Sequence, residues 1–105
     1  MTAIEKKILE AFKKLVATKA TIKRLVLFGS RARGDADPDS DMDIVVVLDR
    51  RTPEMESWVS DCAWEAGIDC GIVVCPIVYS ADEWEKEPVQ FSSFARAVKE
   101  EGIQL

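Results

Sequence analysis

Residues Leu25 to Leu48 read LVLFGSRARGDADPDSDMDIVVVL. An apolar run, Leu25 to Phe28, stops at Gly29 and Ser30; ten residues then pass before Asp41, and Asp43 opens a second apolar run from Ile44 to Leu48. Two such runs bounded by turn residues predict two buried strands joined by a polar connection. Gly29 removes the side chain where the backbone turns sharply or approaches another group closely, and Ser30 sets a hydroxyl and an amide at that turn. A turn of this kind suits a phosphate.

Asp41 and Asp43 are two apart, so on an extended strand both side chains point to one face. Two carboxylates about 4 Å apart repel by about 4 kcal/mol at an effective dielectric near 20, and a divalent cation compensates that directly. Mg²⁺ takes hard oxygen ligands in a pair and keeps room for water and phosphate oxygens. The alternative is a loop-end calcium site or plain turn residues, since Asp35, Asp37 and Asp39 lie nearby. The EF-hand pattern needs a Gly at its sixth position and a Glu at its twelfth, and this loop has neither in register. Asp35, Asp37 and Asp39, broken by Pro38, read instead as a solvated mobile loop.

The residues now carry a resemblance. Gly29-Ser30, ten intervening residues and Asp41-Met42-Asp43 between apolar strands resemble the signature of the DNA polymerase β-type nucleotidyltransferase superfamily, and Arg31, Arg33 and Gly34 resemble its minimal members. The two-part motif covers about a quarter of the chain, and the order of elements extends the likeness to most of it. The resemblance implies a nucleoside triphosphate held by Gly29 and Ser30, with Mg²⁺ or Mn²⁺ on Asp41 and Asp43, and transfer of a nucleoside monophosphate such as AMP to a hydroxyl. It also implies a third carboxylate from a later strand. Only Asp69, in Ile68-Asp69-Cys70, fits an apolar-acid-apolar pattern; it is either that third catalytic and metal-binding carboxylate or a turn residue. Arg31 and Arg33 either contact the triphosphate or form salt bridges to the acidic loop.

Composition narrows the classes. With 105 residues and 48% hydrophobic content the chain makes one domain, residues 1–105, with material for a single core. Nineteen acidic against fourteen basic residues give a net charge of −5, which argues against sequence-independent duplex DNA binding. No leader and no long apolar run are present, so a cytoplasmic protein without a membrane span is expected. The three cysteines match no Cys-x-x-Cys pattern, and histidine is absent. That removes Ser-His and Cys-His catalytic pairs and leaves carboxylates as the acid–base and metal groups.

Around the central stretch, Thr2 and Glu5 form a capping box, and Ile4, Ile8, Phe12, Leu15 and Val16 recur at helical spacing, predicting a helix over 3–18. Its lysines, interspersed with Glu5 and Glu10, read as a solvated face. A strand is expected over 24–29 and another through Leu48, buried on both faces. Thr52-Pro53 starts a helix with Met55, Trp58, Val59, Cys62 and Ala66 as its apolar stripe, ending at Gly67. Trp58 and Trp64 read as packing residues rather than a base-stacking platform. A strand over 70–79 contains Pro76, which marks a sheet edge or a bulge. Ser80 and Glu83 cap a short helix closed by Pro88, and a last helix over 90–101 carries Phe91, Phe94, Ala95 and Val98 on one side and ends at Gly102.

The expected fold is α/β: a small mixed β-sheet flanked by helices, nucleotidyltransferase-like, in the order α-β-(turn)-β-α-β-α-α. The expected function is metal-dependent nucleotidyl transfer. The resemblance further implies a candidate role as the antitoxin of a small helical HEPN-type (higher eukaryotes and prokaryotes nucleotide-binding) partner, with a homo-oligomer as another candidate arrangement. The competing reading is a catalytically inactive nucleotide- or protein-binding module of the same fold.

Overall fold

The computed structural model describes residues 1–86 and 88–105. Helix α1, Ala3–Ala17, begins at the expected capping box: the Glu5 amide donates to Thr2 Oγ1 at 3.1 Å and the Thr2 amide to Glu5 Oε1 at 2.8 Å. Strand β1, Ile22–Phe28, gives way at Gly29 to the four-residue helix α2, Ser30–Arg33, and strand β2 runs Met42–Leu48. Helix α3, Pro53–Ile68, has Thr52 as its cap and Pro53 at its head. Strand β3, Val74–Ser80, leads into helix α4, Ala81–Glu85, capped reciprocally by Ser80 and Glu83. A 3₁₀ turn, Val89–Phe91, helix α5, Ser93–Glu101, and strand β4, Ile103–Gln104, complete the chain.

The four strands form one mixed sheet in the order β3-β2-β1-β4. β1 is antiparallel to both β2 and β4, and β2 is parallel to β3. Alternation along the two central strands divides the core. Leu25, Leu27, Ile44, Val46 and Leu48 pack under α1 and α3, while Val26, Val45 and Val47 pack under α4 and α5. Every residue from Ile44 to Leu48 is therefore buried, as an unalternating apolar run requires. Among the described residues no helix is long and apolar enough to cross a membrane.

The structure departs from the expected order in four places. First, β3 begins at Val74 rather than Cys70. The helix runs one residue past Gly67, and the chain then doubles back so that the Ile72 amide donates to the Gly67 carbonyl at 3.2 Å. A Cβ on Gly67 would collide with the Ile72 carbonyl oxygen, so its role is close approach rather than helix termination. Second, the last helix starts at Ser93, because Ser92 Oγ accepts the Ala95 amide at 3.0 Å and caps it there. Phe91 consequently lies outside the apolar stripe, and it is exposed. Third, β4 adds a fourth strand. Fourth, Trp64 is 60% exposed rather than packed, since it lies on the side of α3 beyond the last strand of the sheet.

β3 is that last strand, as Pro76 implied. The Met42 amide donates to the Val73 carbonyl, so odd-numbered β3 residues turn their backbone groups to β2 and even-numbered ones turn outward. Pro76 thus places its missing N–H on the free edge.

One buried ion pair fastens the first helix to the centre of the chain. Arg31 Nη1 lies 3.0 Å from Glu5 Oε2, with both side chains almost fully enclosed. Burial alone would push the Glu5 carboxyl up, but the Thr2 amide, the Arg31 guanidinium and the Thr2 hydroxyl together hold it below its ordinary 4.5. A carboxyl held low in the folded state stabilises above its unfolded value, and that contribution is lost as the pH falls through the native value. Removing one partner of such a pair leaves an uncompensated buried charge. Arg31→Met is expected to destabilise by about 3 to 5 kcal/mol in urea denaturation at neutral pH. Glu5→Gln is expected to lose less stability than the parent on acidification below pH 4.5; parallel pH profiles would show that the pair contributes nothing there.

Candidate functional site

β1 runs antiparallel to β2, and β2 runs parallel to β3, so the end of β1 and the beginnings of β2 and β3 meet at one margin of the sheet. Gly29, the Asp41-Met42-Asp43 segment and Cys75 are brought together there. Asp43 is opposite Phe28 on one neighbouring strand and opposite Cys75 on the other. Met42, between the carboxylates, points the other way and is fully buried, which anchors the segment and turns both Asp side chains to the open face.

Gly29 has φ +76°, a left-handed conformation that side chains disfavour. Space excludes one as well: a Cβ there would stand 2.8 Å from Asp43 Oδ2. The turn and the carboxylate are therefore packed against each other. The Gly29 carbonyl accepts the amides of Ala32 and Arg33, each at 3.1 Å, winding α2 into a tight turn. The leading amides of that turn have no partner within the helix.

Asp43 is half-buried and Asp41 exposed. Burial, and then the charge of Asp41, push the Asp43 carboxyl above its usual range. The Cys75 thiol is pushed up by burial and by the charges of Asp41 and Asp43, and it donates to Asp41 Oδ2 at 3.7 Å. The margin thus concentrates negative charge beside a turn with unused donors. Two hard-oxygen donors in this condition fit Mg²⁺ or Mn²⁺, and cation binding would relieve their mutual repulsion.

The other expected site residues are placed elsewhere. Asp69 is the exposed residue that ends α3, where its amide donates to the Gly67 carbonyl in an ordinary helix exit. Among the described residues no three His, Cys, Asp or Glu side chains converge as a metal-holding group, so the structure does not join Asp69 to Asp41 and Asp43. Arg31 points inward. Its Nε and Nη2 donate to the Ser40 carbonyl at 2.9 and 2.7 Å, Nη2 also to the Pro38 carbonyl at 3.1 Å, and Nη1 to Glu5. It holds the loop's backbone rather than a phosphate or the loop's acids. Arg33 stays at the surface, 3.3 Å from Asp35 Oδ2 and 3.7 Å from Glu101 Oε2, pairs that solvent weakens. Asp35, Asp37 and Asp39 are exposed as expected, but the loop is tied down by Arg31 and by the Asp37 amide on Ser40 Oγ at 2.9 Å.

Two contributors escaped the sequence reading. Glu5 reads as half of a capping box on a solvated face, but it is buried against Arg31; Cys75 lies inside an apolar run, and only the parallel register sets it beside Asp43.

A family model described as "Nucleotidyltransferase domain" matches residues 5–104. A "putative protein adenylyltransferase" of Methanocaldococcus jannaschii is 30% identical over 101 residues, covering 93% of this chain and 95% of the relative. A second protein of that organism and description is 35% identical over 103 residues, covering 96% and 97%. The crystal structure of a "putative nucleotidyltransferase" from Sulfolobus solfataricus aligns with 99% of this chain and 86% of its own, at a TM-score of 0.49 and 20% identity.

The contact between turn and carboxylate makes Gly29 the most sensitive backbone position of the margin. Gly29→Ala is expected to destabilise by about 1 to 3 kcal/mol, because φ is wrong and the methyl displaces Asp43. Gly34→Ala, at φ +82° with open space around its Cα, suffers only the conformational part. Equal losses of melting temperature in the two variants would mean that Asp43 does not press on the turn.

Proposed function

The chain belongs to the nucleotidyltransferase domain family, and on that premise we propose that it transfers AMP from ATP to a hydroxyl group of a protein. The observation that supports the reading is the close approach of Asp43 Oδ2 to the Gly29 turn, which sets a carboxylate beside the leading backbone amides of α2.

The Gly29-Ser30 turn receives the β- and γ-phosphates, its unpaired amides and the Ser30 hydroxyl donating to their oxygens. Asp41 and Asp43 hold Mg²⁺ or Mn²⁺, which when bound neutralises charge developing on the phosphates. Asp43 is fixed by the neighbouring strands, and Asp41 is oriented by the Cys75 thiol. The acceptor oxygen forms a bond to the α-phosphorus, the bond from that phosphorus to the bridging oxygen breaks, and pyrophosphate leaves. The hydroxyl proton passes to solvent at the open margin. What this chain's residues supply is orientation and a preformed electrostatic setting.

An acceptor on a small helical partner, with this chain as its antitoxin, belongs to the same reading. The second reading, an inactive nucleotide-binding module, is favoured by one observation: among the described residues no third acidic side chain joins the pair.

Stability separates a ligand site from a structural one without knowledge of the acceptor. Ligand at about a hundred times its dissociation constant stabilises a native state by about 2.7 kcal/mol. The parent is expected to gain melting temperature from ATP with Mg²⁺ but not from ATP in chelator. The Asp41→Asn, Asp43→Asn double variant is expected to melt in chelator at or above the parent temperature and to gain nothing from ATP with Mg²⁺. A double variant that melts lower in chelator, beside a parent indifferent to metal and nucleotide, would overturn the transferase reading. In the same titration Asp69→Asn is expected to match the parent; loss of its shift would return Asp69 to the site.

A further inference from the structure

The row Phe28, Asp43 and Cys75 crosses three strands at the margin. Cross-strand partners share a face, so a phenyl ring and a thiol flank the carboxylate on the side of the sheet that α4 and α5 cover. That cover is complete over Val26, Val45 and Val47, each at most 1% exposed, and stops short of Ile77, which is in register with Val45 and 39% exposed.

At the edge of the cover the side chains are aromatic. Phe94, in the first turn of α5, sets its ring edge-to-face with Phe28, the centroids 5.3 Å apart and the planes at 86°. Both residues are half-buried, so part of each remains open beside Asp43. Three residues before Phe94, on the 3₁₀ turn that leads into α5, Phe91 is 64% exposed. A ring left in water adds little to a core, and its π face is a surface on which another flat ring stacks.

We propose that this aromatic rim holds the nucleobase of the triphosphate by stacking, with Phe91 as its outer member and the Phe28–Phe94 pair as its support. The inference rests on the transferase reading above and names how that site grips its nucleotide. In-line displacement decides between base and acceptor as the occupant, because the attacking oxygen stands opposite the leaving one. With pyrophosphate leaving at the Gly29 turn, which ends β1, and the α-phosphorus at Asp41 and Asp43 on β2, the acceptor enters over β3, past Cys75 and the uncovered Ile77. The rings stand on the other side of Asp43 from that path, which leaves them to the base. Stacking area then ranks the bases, and a purine covers more of a phenyl ring than a pyrimidine does.

The test is isothermal titration of the full chain in Mg²⁺ with ATP, CTP and inorganic tripolyphosphate, which carries the phosphates without a base. The parent is expected to bind ATP about tenfold more tightly than tripolyphosphate, with CTP between them. Phe91→Ala is expected to weaken ATP by about fivefold or more and to leave tripolyphosphate as in the parent. Phe91 is exposed, so that variant is expected to keep the parent melting temperature. Phe94→Leu keeps an apolar side chain against Phe28 without the π face, and is expected to weaken ATP with tripolyphosphate again unchanged. The proposal is overturned by ATP bound no more tightly than tripolyphosphate, by ATP affinity untouched by Phe91→Ala or by Phe94→Leu, or by equal weakening of ATP and tripolyphosphate. A parent that binds neither ligand in Mg²⁺ marks instead the failure of the transferase reading, and the inference falls with it.

Discussion

Arg31 is the side chain on which the arrangement of the first half depends. Its guanidinium reaches Glu5 on α1 and the carbonyls of Pro38 and Ser40 in the loop, while its backbone belongs to the turn after Gly29. The helix is distant in sequence from the turn and the loop that follows it, and one planar cation with five donors fixes the mutual positions of all three. Enclosure makes the interaction exacting: the carbonyls and the carboxylate it satisfies would each lose a partner together. Because Ser40 directly precedes Asp41, the same contacts determine where the carboxylate segment enters the sheet. The carboxylates at the margin are thus positioned from behind by a residue that does not face them.

Most of the architecture was legible because it is written locally. The pause at Gly29-Ser30, the two-residue spacing of Asp41 and Asp43, and the caps at Thr2, Thr52 and Ser80 each follow from short-range periodicity or side-chain chemistry. What escaped is set by tertiary packing. An arginine beside a phosphate-suited turn looks exposed until α1 is laid over it. Cys75 acquires its meaning only from parallel register with Asp43. Two residues after a helix, Ile103 and Gln104, carry too little pattern to announce a strand, yet the exposed flank of β1 gives them a partner. Asp69 matched an apolar-acid-apolar pattern, but the pattern straddles a helix exit rather than a strand. Trp64 was expected to pack because aromatic residues on such helices usually do, and the sheet simply ends before reaching it.

The margin also shows how the fold tolerates charge that works against it. Asp43 is the more enclosed of the pair, held between Phe28 and Cys75, and its ionisation is opposed both by burial and by Asp41. The core beneath has no share in that strain: Met42 is buried on the opposite face, and the run from Ile44 onward is packed on both sides. A repulsive surface site resting on a dense strand is the arrangement expected where preorganisation matters more than local stability.

Pro76 has a consequence for how this protein behaves in a crowd of its own copies. An outermost strand with Ile77 uncovered, and with Val73 exposed just before it, would ordinarily invite a neighbouring molecule to extend the sheet, and repetition of that event builds fibrils. Here a ladder growing outward from β3 meets a gap in the middle of its donors, flanked by the outward groups of Val74 and Val78. An apolar flank can therefore stay exposed here without offering the unbroken ladder that a stacked polymer needs.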